Sequence, residues 1–270
     1  MTIIDAWIQH PTPEFLSHPI FESLLRWMGV DEPPEHFPIE LTLGAMDAGG
    51  VDQALLSAWY GPDGALLTND DVASHCEEHP ERFVGIGSVN LSRPMEAVEQ
   101  VRRCIGQLGF KGIRQLPWLW QLPPDDRRYY PVYATCAELG VPFCLQVGHT
   151  GPLMPSEYGR PIPYLDHVAL DFPELTIVGG HIGYPWVDEM IALATKYENV
   201  FIDTSAYKPS RFPSQLVEFM NRHGRHKVLY GSNWPMISPQ DCLDQVDGLG
   251  LDDEARELFL SGNAKRVFGL

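Results

Sequence analysis

Eight short apolar segments, separated by stretches of helical periodicity over most of the chain, constrain this sequence more than any other feature. The candidate strands cover 2–9, 51–59, 83–89, 111–117, 142–148, 176–182, 200–206 and 227–233. Several are apolar throughout, as expected where both faces of a parallel sheet are covered. Between the third and fourth, residues 94–109 place Ala97, Val98, Val101, Cys104, Ile105 and Leu108 at helical spacing, with Gly109 suited to end the helix. Similar patterns recur at 128–140, 164–175, 186–199, 211–224 and 251–269. Such alternation admits either a closed barrel or an open doubly wound sheet. Eight units and the lack of a GxGxxG loop after the first strand favour the barrel. The predicted fold is therefore α/β, a (β/α)8 TIM barrel, with residues 1–270 as one domain.

The segment 10–48 breaks the rhythm. It is too long for a plain strand-to-helix connection and carries its own amphipathic stretch around Phe15–Met28. In a barrel it emerges at the C-terminal face, where loops build substrate sites. It is expected to be a lid-like cap inserted after strand one, with a packing excursion or subunit contact as the competing reading.

Charge and cysteine usage narrow the class of partner. Nineteen Lys and Arg against 36 Asp and Glu leave a net charge of −17, which opposes a nucleic-acid backbone. No apolar run approaches the about 18 residues that a membrane span needs. The opening MTIIDAWIQHP has no basic flank and does not read as a signal peptide. Five scattered cysteines lack metal or disulfide spacing and suit a reducing compartment. The expectation is a cytoplasmic protein with a small-molecule substrate, no nucleic-acid or membrane partner, and homo-oligomerisation through Phe21, Leu24, Leu25 and Trp27 as an option.

The chemistry gathers at the strand ends. Alternation puts Asp5, Trp7 and Gln9 on one face of the first strand. Trp7 supplies an apolar wall or core packing, and Gln9 an amide donor and acceptor. Arg114, ending strand four, can grip a substrate carboxylate through paired N–H groups or neutralise Asp5 or Asp203. Gln146 shares the inward parity of strand five, and His149 opens the loop beyond it between Gly148 and Gly151. His181 ends the apolar TIVGGHIGYPW and is the foremost candidate for proton transfer near neutral pH. Tyr184 and Trp186 follow it as an aromatic wall. Ser205 lacks the setting of a nucleophile elbow and is assigned to hydrogen bonding. Lys208 and Arg211 can bind an acid group or simply face solvent. Asn233 can orient water or a carbonyl, but it is no general base.

In the order and spacing of IIDAWIQ (3–9), LGFKGIR (108–114), YYPVYATCAELGVPF (129–143), TIVGGHIG (176–183), VFIDTSA (200–206), YGSNWP (230–235) and NAKRVFG (263–269), the chain resembles the amidohydrolase superfamily. The likeness is to the amidohydrolase-related branch containing aminocarboxymuconate-semialdehyde decarboxylase-like enzymes, and it spans nearly the whole chain. It implies a (β/α)8 barrel and either hydrolysis or nonoxidative decarboxylation of small cyclic or carboxylated substrates. Metal-bearing members have two strand-one histidines where Trp7 and Gln9 stand here. The strand-five histidine corresponds to Gln146, or by a shifted match to His149, and the strand-eight aspartate to Asn233. The proton-transfer histidine is retained as His181.

With those positions changed, the expectation is no catalytic metal and no cofactor, the alternative being a divalent metal such as zinc in a non-standard site. The leading expectation for activity is a hydrolase acting on a small cyclic or carboxylated substrate such as a lactone, with His181 and Asn233 catalytic. Trp7, Gln9, Arg114, Gln146, His149, Tyr184, Trp186, Ser205, Lys208 and Arg211 are assigned to substrate binding. The alternatives are a nonoxidative decarboxylase and a catalytically silent barrel that binds a small carboxylate or another protein.

Overall fold

A computed structural model describes residues 2–270 apart from Asp31 and Pro33. Ten strands follow one another along the chain. They are β1 (Ile4–Ile8), β2 (Gln53–Ser57), β3 (Trp59–Gly61), β4 (Gly64–Leu67), β5 (Phe83–Ile86), β6 (Ile113–Gln115), β7 (Phe143–Gln146), β8 (Ile177–Gly180), β9 (Val200–Asp203) and β10 (Val228–Leu229). Two parallel sheets form, β1-β2-β5 and β10-β9-β8-β7-β6. Parallel bridges from Ile8 to Trp234 and from Gly87 to Ile113 join them into one ring of eight strands. The barrel read from the alternation is present, and each expected strand contains one of its staves.

Two apolar layers explain why the strands carry hydrophobic residues on both faces. Leu55, Ile86, Cys144, Val178 and Leu229 fill the barrel interior. Alternating neighbours such as Leu56, Ile113, Phe143, Ile177 and Ile202 pack outward among helix residues that include Val101, Val132 and Met190. Helix ends follow local chemistry. The helix Asn69–Glu78 starts at a capping box of Thr68 and Asp71, and Tyr130–Leu139 stops where Gly140 takes a left-handed φ of 66°. Pro94–Gly106 ends three residues before Gly109, which turns the chain instead at φ 70°. The helix expected over 251–269 is divided into Asp253–Glu257 and Asn263–Phe268 by a wider turn at Leu258–Gly262.

Beyond the expectation lies a small antiparallel hairpin, β3–β4, closed by Gly61-Pro62-Asp63-Gly64. The long excursion after β1 contains α1 (Pro13–Leu16), a 3-10 turn (Pro19–Phe21), α2 (Glu22–Met28) and α3 (Ile39–Gly49). α3 packs against the helix Pro239–Leu243 and so belongs to the ring of barrel helices. The earlier part, through Phe37, instead reaches the mouth of the barrel. Two residues of the expected cap, Asp31 and Pro33, lie outside the described residues. Among the described residues no helix is long and apolar enough to cross a membrane.

Candidate functional site

A cavity of ≈ 460 Å³ opens at the C-terminal ends of the strands. Its floor is polar: Gln9 after β1, Gln146 at the end of β7, His181 after β8 and Asn233 beyond β10. Its walls are aromatic, with Phe15, Phe21 and Phe37 from the excursion facing Trp59 of the hairpin, Trp118 after β6 and Trp234. His149 and Tyr207 stand nearer the mouth, with the Tyr207 hydroxyl 3.5 Å from His149 Nδ1.

The backbone at the floor is bent sharply. His181, Ile182, Ala206 and Asn233 all take positive φ, at 71°, 52°, 67° and 72°. Left-handed backbone is costly for residues with a β-carbon, and its concentration just past β8, β9 and β10 marks a surface held in shape by its surroundings. Gly180 serves a different need. A Cβ there would lie 2.5 Å from Trp7 Cζ3, so its bareness is what lets the Trp7 indole pack beneath His181. The two rings are 5.1 Å apart between centroids.

His181 is tied into a proton chain. Its Nδ1 lies 2.7 Å from Ser205 Oγ, and the Ser205 hydroxyl donates to Asp203 Oδ1. The Ser205 backbone N–H donates to the same carboxylate oxygen at 2.9 Å. Since the hydroxyl proton is committed to Asp203, the Ser205 oxygen accepts from His181 Nδ1–H, which leaves Nε2 bare. Burial lowers the His181 pKa to about 3, with Arg114 and His149 adding to the effect. Burial raises Asp203 to about 6, opposed by the Ser205 hydrogen bonds and by Arg114. At neutral pH the chain therefore runs from a neutral imidazole to an ionised carboxylate.

The amides are similarly oriented. Gln9 Nε2 donates to the Trp234 carbonyl and, at 3.3 Å, to Asn233 Oδ1. Gln9 Oε1 is left buried with no partner among the described residues. Because Asn233 Oδ1 accepts from Gln9, its N–H2 faces away from that side chain. Gln146 Oε1 accepts from Trp118 Nε1 at 2.7 Å, and its Nε2 donates to the His149 carbonyl at 3.3 Å.

The expected site residues thus fall into three groups. Gln9, Gln146, His149, His181 and Asn233 converge on the cavity. Trp7, Arg114 and Ser205 lie beneath it, fully buried and outside its lining. The Arg114 guanidinium stacks 3.6 Å over the Trp7 ring and donates to the carbonyls of Ala6 at 3.0 Å and Ile8 at 3.5 Å, so its N–H groups do not reach a substrate. The others stand aside. Tyr184 is exposed near the mouth, its ring 5.7 Å from Tyr207. Trp186 lies under Arg160, Lys208 pairs with Asp241 at 2.6 Å, and Arg211 is exposed on the turn Pro209–Arg211. Trp59, Trp118 and Phe37 line the cavity without having been singled out as site residues, because the hairpin, a short helix (Pro117–Trp120) and the excursion bring them there, and the parity of the barrel strands does not report on those segments.

A family model described as Amidohydrolase matches residues 8–270. A gamma-resorcylate decarboxylase from Rhodococcus jostii is 26% identical, the match covering 86% of this chain and 84% of that protein. A 2-keto-4-carboxy-3-hexenedioate hydratase from a Sphingobium species is also 26% identical, over 80% of this chain and 73% of its own length. Among solved structures, an uncharacterised TIM-barrel protein from Bordetella bronchiseptica superposes with a TM-score of 0.85 at 28% identity, covering 100% and 99% of the two chains. A dihydroxybenzoic acid decarboxylase from a Polaromonas species, with bound manganese and the inhibitor 2-nitroresorcinol, superposes with a TM-score of 0.73 at 20% identity, covering 100% and 97%.

That last structure corrects the expectation of no metal and no cofactor, which rested on the substituted strand ends: a decarboxylase of this fold does carry a divalent metal. The side chains of the present cavity are a poor match to such an ion. A hard divalent cation is held chiefly by carboxylate oxygens and imidazole nitrogens, whereas the polar groups converging here are three amides and two imidazoles, with no carboxylate among the described lining residues. Among the described residues no three His, Cys, Asp or Glu side chains come together to hold a metal. The residues present do not fit the group.

Proposed function

Because the chain belongs to the amidohydrolase family, in its aminocarboxymuconate-semialdehyde decarboxylase-like branch, we propose that it is a nonoxidative carboxy-lyase exchanging the carboxyl group of a small ring acid for a proton. This replaces hydrolysis of a lactone as the leading reading, and two considerations support the change. A named relative matched over most of this chain is a decarboxylase. Water attack on an acyl group also needs free donors for the developing oxyanion. Gln9 Nε2 and Gln146 Nε2, two of the candidates, are spent on backbone carbonyls.

The observation that carries the reading is His181: a bare Nε2 on the floor of an aromatic cavity, with Nδ1 backed by Ser205 and Asp203. Replacing CO2 by a proton requires one group that carries the proton to the ring carbon losing the carboxylate. An imidazole steadied by an ionised carboxylate through a hydroxyl suits that task. Asn233 N–H2 offers a donor to a polar substituent on the ring, and the aromatic walls take its faces. The excursion through Phe37 acts in this reading as a cap over the bound acid, within a single barrel unit.

The test is a panel of carboxyl-labelled hydroxylated benzoic acids and related ring acids, assayed with and without added Mn2+. At least one member should release labelled CO2 and, in D2O, take up one deuterium at the vacated ring carbon. Absence of CO2 across the panel, with turnover of lactones instead, would return the site to hydrolysis. Within an active assay, Ser205→Ala should reduce turnover by on the order of 100-fold, since the His181 imidazole loses its link to Asp203. Ser205→Thr, which keeps the hydroxyl, should restore most of it.

A further inference from the structure

None of the side chains lining the cavity, among the described residues, is an Asp, Glu, Lys or Arg. This is unexpected for a site that receives an acid. Each nearby cation is engaged elsewhere or absent from the lining: Lys208 is paired with Asp241, Arg211 sits on an outer turn, Arg26 on α2 is exposed and outside the lining, and Arg114 is buried below Trp7 with N–H groups turned to β1 carbonyls. Nor does the layer under the floor supply a net positive field. Arg114 from β6 shares it with Asp203 from β9 and Asp5 from β1, both fully buried. Facing the ligand space are His181 after β8, His149 after β7 and Tyr207 after β9, with the neutral amides of Gln9 and Asn233. An isolated carboxylate in such surroundings loses its hydration without gaining a counter-charge.

We propose that the cavity takes up its acid together with one proton, so that the bound cargo is electrically neutral. The inference rests on the lyase reading for its chemistry, but its binding test does not. The proton arrives either on the carboxyl oxygen or on His181 Nε2, and the two forms interconvert when the carboxyl O–H bond breaks as the Nε2–H bond forms. In the chemical step Nε2–H breaks and a ring C–H bond forms. The electron pair of the ring carbon–carboxyl bond returns to the ring, and neutral CO2 leaves. His181 ends with Nε2 bare, as it began. No charge is left in the cavity at either end of the cycle, which is why the lining needs no cation.

Calorimetric titration with benzoate and its uncharged counterpart benzamide tests this on the intact protein, in two buffers of different ionisation enthalpy. Benzoate should bind with uptake of about one proton, and its affinity should fall about tenfold per unit rise in pH from 6 to 8, well above its own pKa. Benzamide should bind with no proton uptake and a flat pH dependence. A second measurement uses Met236→Lys, which sets an ammonium in the lining. That variant should bind benzoate without a proton while still binding benzamide. Benzoate binding to the native protein without proton uptake overturns the proposal, and so does failure of both probes to bind at millimolar concentration. Proton uptake without CO2 release from any acid would leave this inference standing and remove the lyase assignment; CO2 release without uptake would do the reverse.

Discussion

Replacing His181 by asparagine should reduce CO2 release by about 10²–10⁴-fold, the usual contribution of a positioned acid–base group, while leaving the barrel folded. Asparagine suits the test for a structural reason. The residue sits at φ 71°, and asparagine tolerates left-handed backbone better than other residues with a β-carbon. The amide can still hydrogen-bond to Ser205, so the floor keeps its shape while losing the one group among the described floor residues able to carry a proton. Single-turnover measurement of labelled CO2, alongside near-ultraviolet circular dichroism, separates lost chemistry from lost structure. The companion variant His149→Gln should weaken substrate binding more than the chemical step, because His149 stands near the mouth beside Tyr207. If His181→Asn retains native turnover, the proton travels by another route and the assignment of His181 fails.

The barrel was legible because its strands are apolar on both faces and recur with helices between them, and that pattern has few other folded solutions. The hairpin β3–β4 went unread because Trp59 continues the apolar run of β2. Gly61-Pro62-Asp63-Gly64 was the available signal, a turn-forming sequence between two apolar segments. At the site, strand parity for Gln9 and Gln146 and strand-end position for His181 and Asn233 point to one end of the barrel, where the four side chains line the cavity. What alternation cannot report is depth along the barrel axis. Trp7 and Arg114 share the inward direction but sit a layer lower, which turns an expected substrate grip into a buried stack. The charged residues just past β9 show the complementary failure. Lys208 and Arg211 follow the strand closely, yet the chain carries them outward to Asp241 and to solvent.

Substituting Arg114 by leucine should cost about 3–5 kcal/mol, the range seen when one member of a buried charge constellation is removed. In a chain of this size that corresponds to a fall in Tm of roughly 10 °C. The guanidinium is 1% exposed, stacked on Trp7, and bonded to the Ala6 carbonyl at 3.0 Å. Two carboxylate oxygens, Asp5 Oδ2 and Asp203 Oδ2, lie buried with no hydrogen-bond partner among the described residues, and the cation's field favours the ionised form of Asp203. Leucine fills much of the volume but supplies no charge, and it leaves the Ala6 carbonyl without that donor. The pH dependence follows from the direction of the shifts. Burial already raises Asp5 to about 7 and Asp203 to about 6, so the native state holds protons that the unfolded chain releases near 3.8. For such groups stability is greatest below the unfolded pKa and is lost as pH rises through the folded one. Removing Arg114 moves the folded Asp203 value higher and extends that loss upward. Urea unfolding at pH 5.5 and pH 8 should therefore show a larger deficit for Arg114→Leu at the higher pH, whereas Arg114→Lys, which keeps the charge but not the planar stack, should lose stability nearly equally at both. An equal deficit for the leucine variant at the two pH values would assign the role of Arg114 to packing over Trp7 alone.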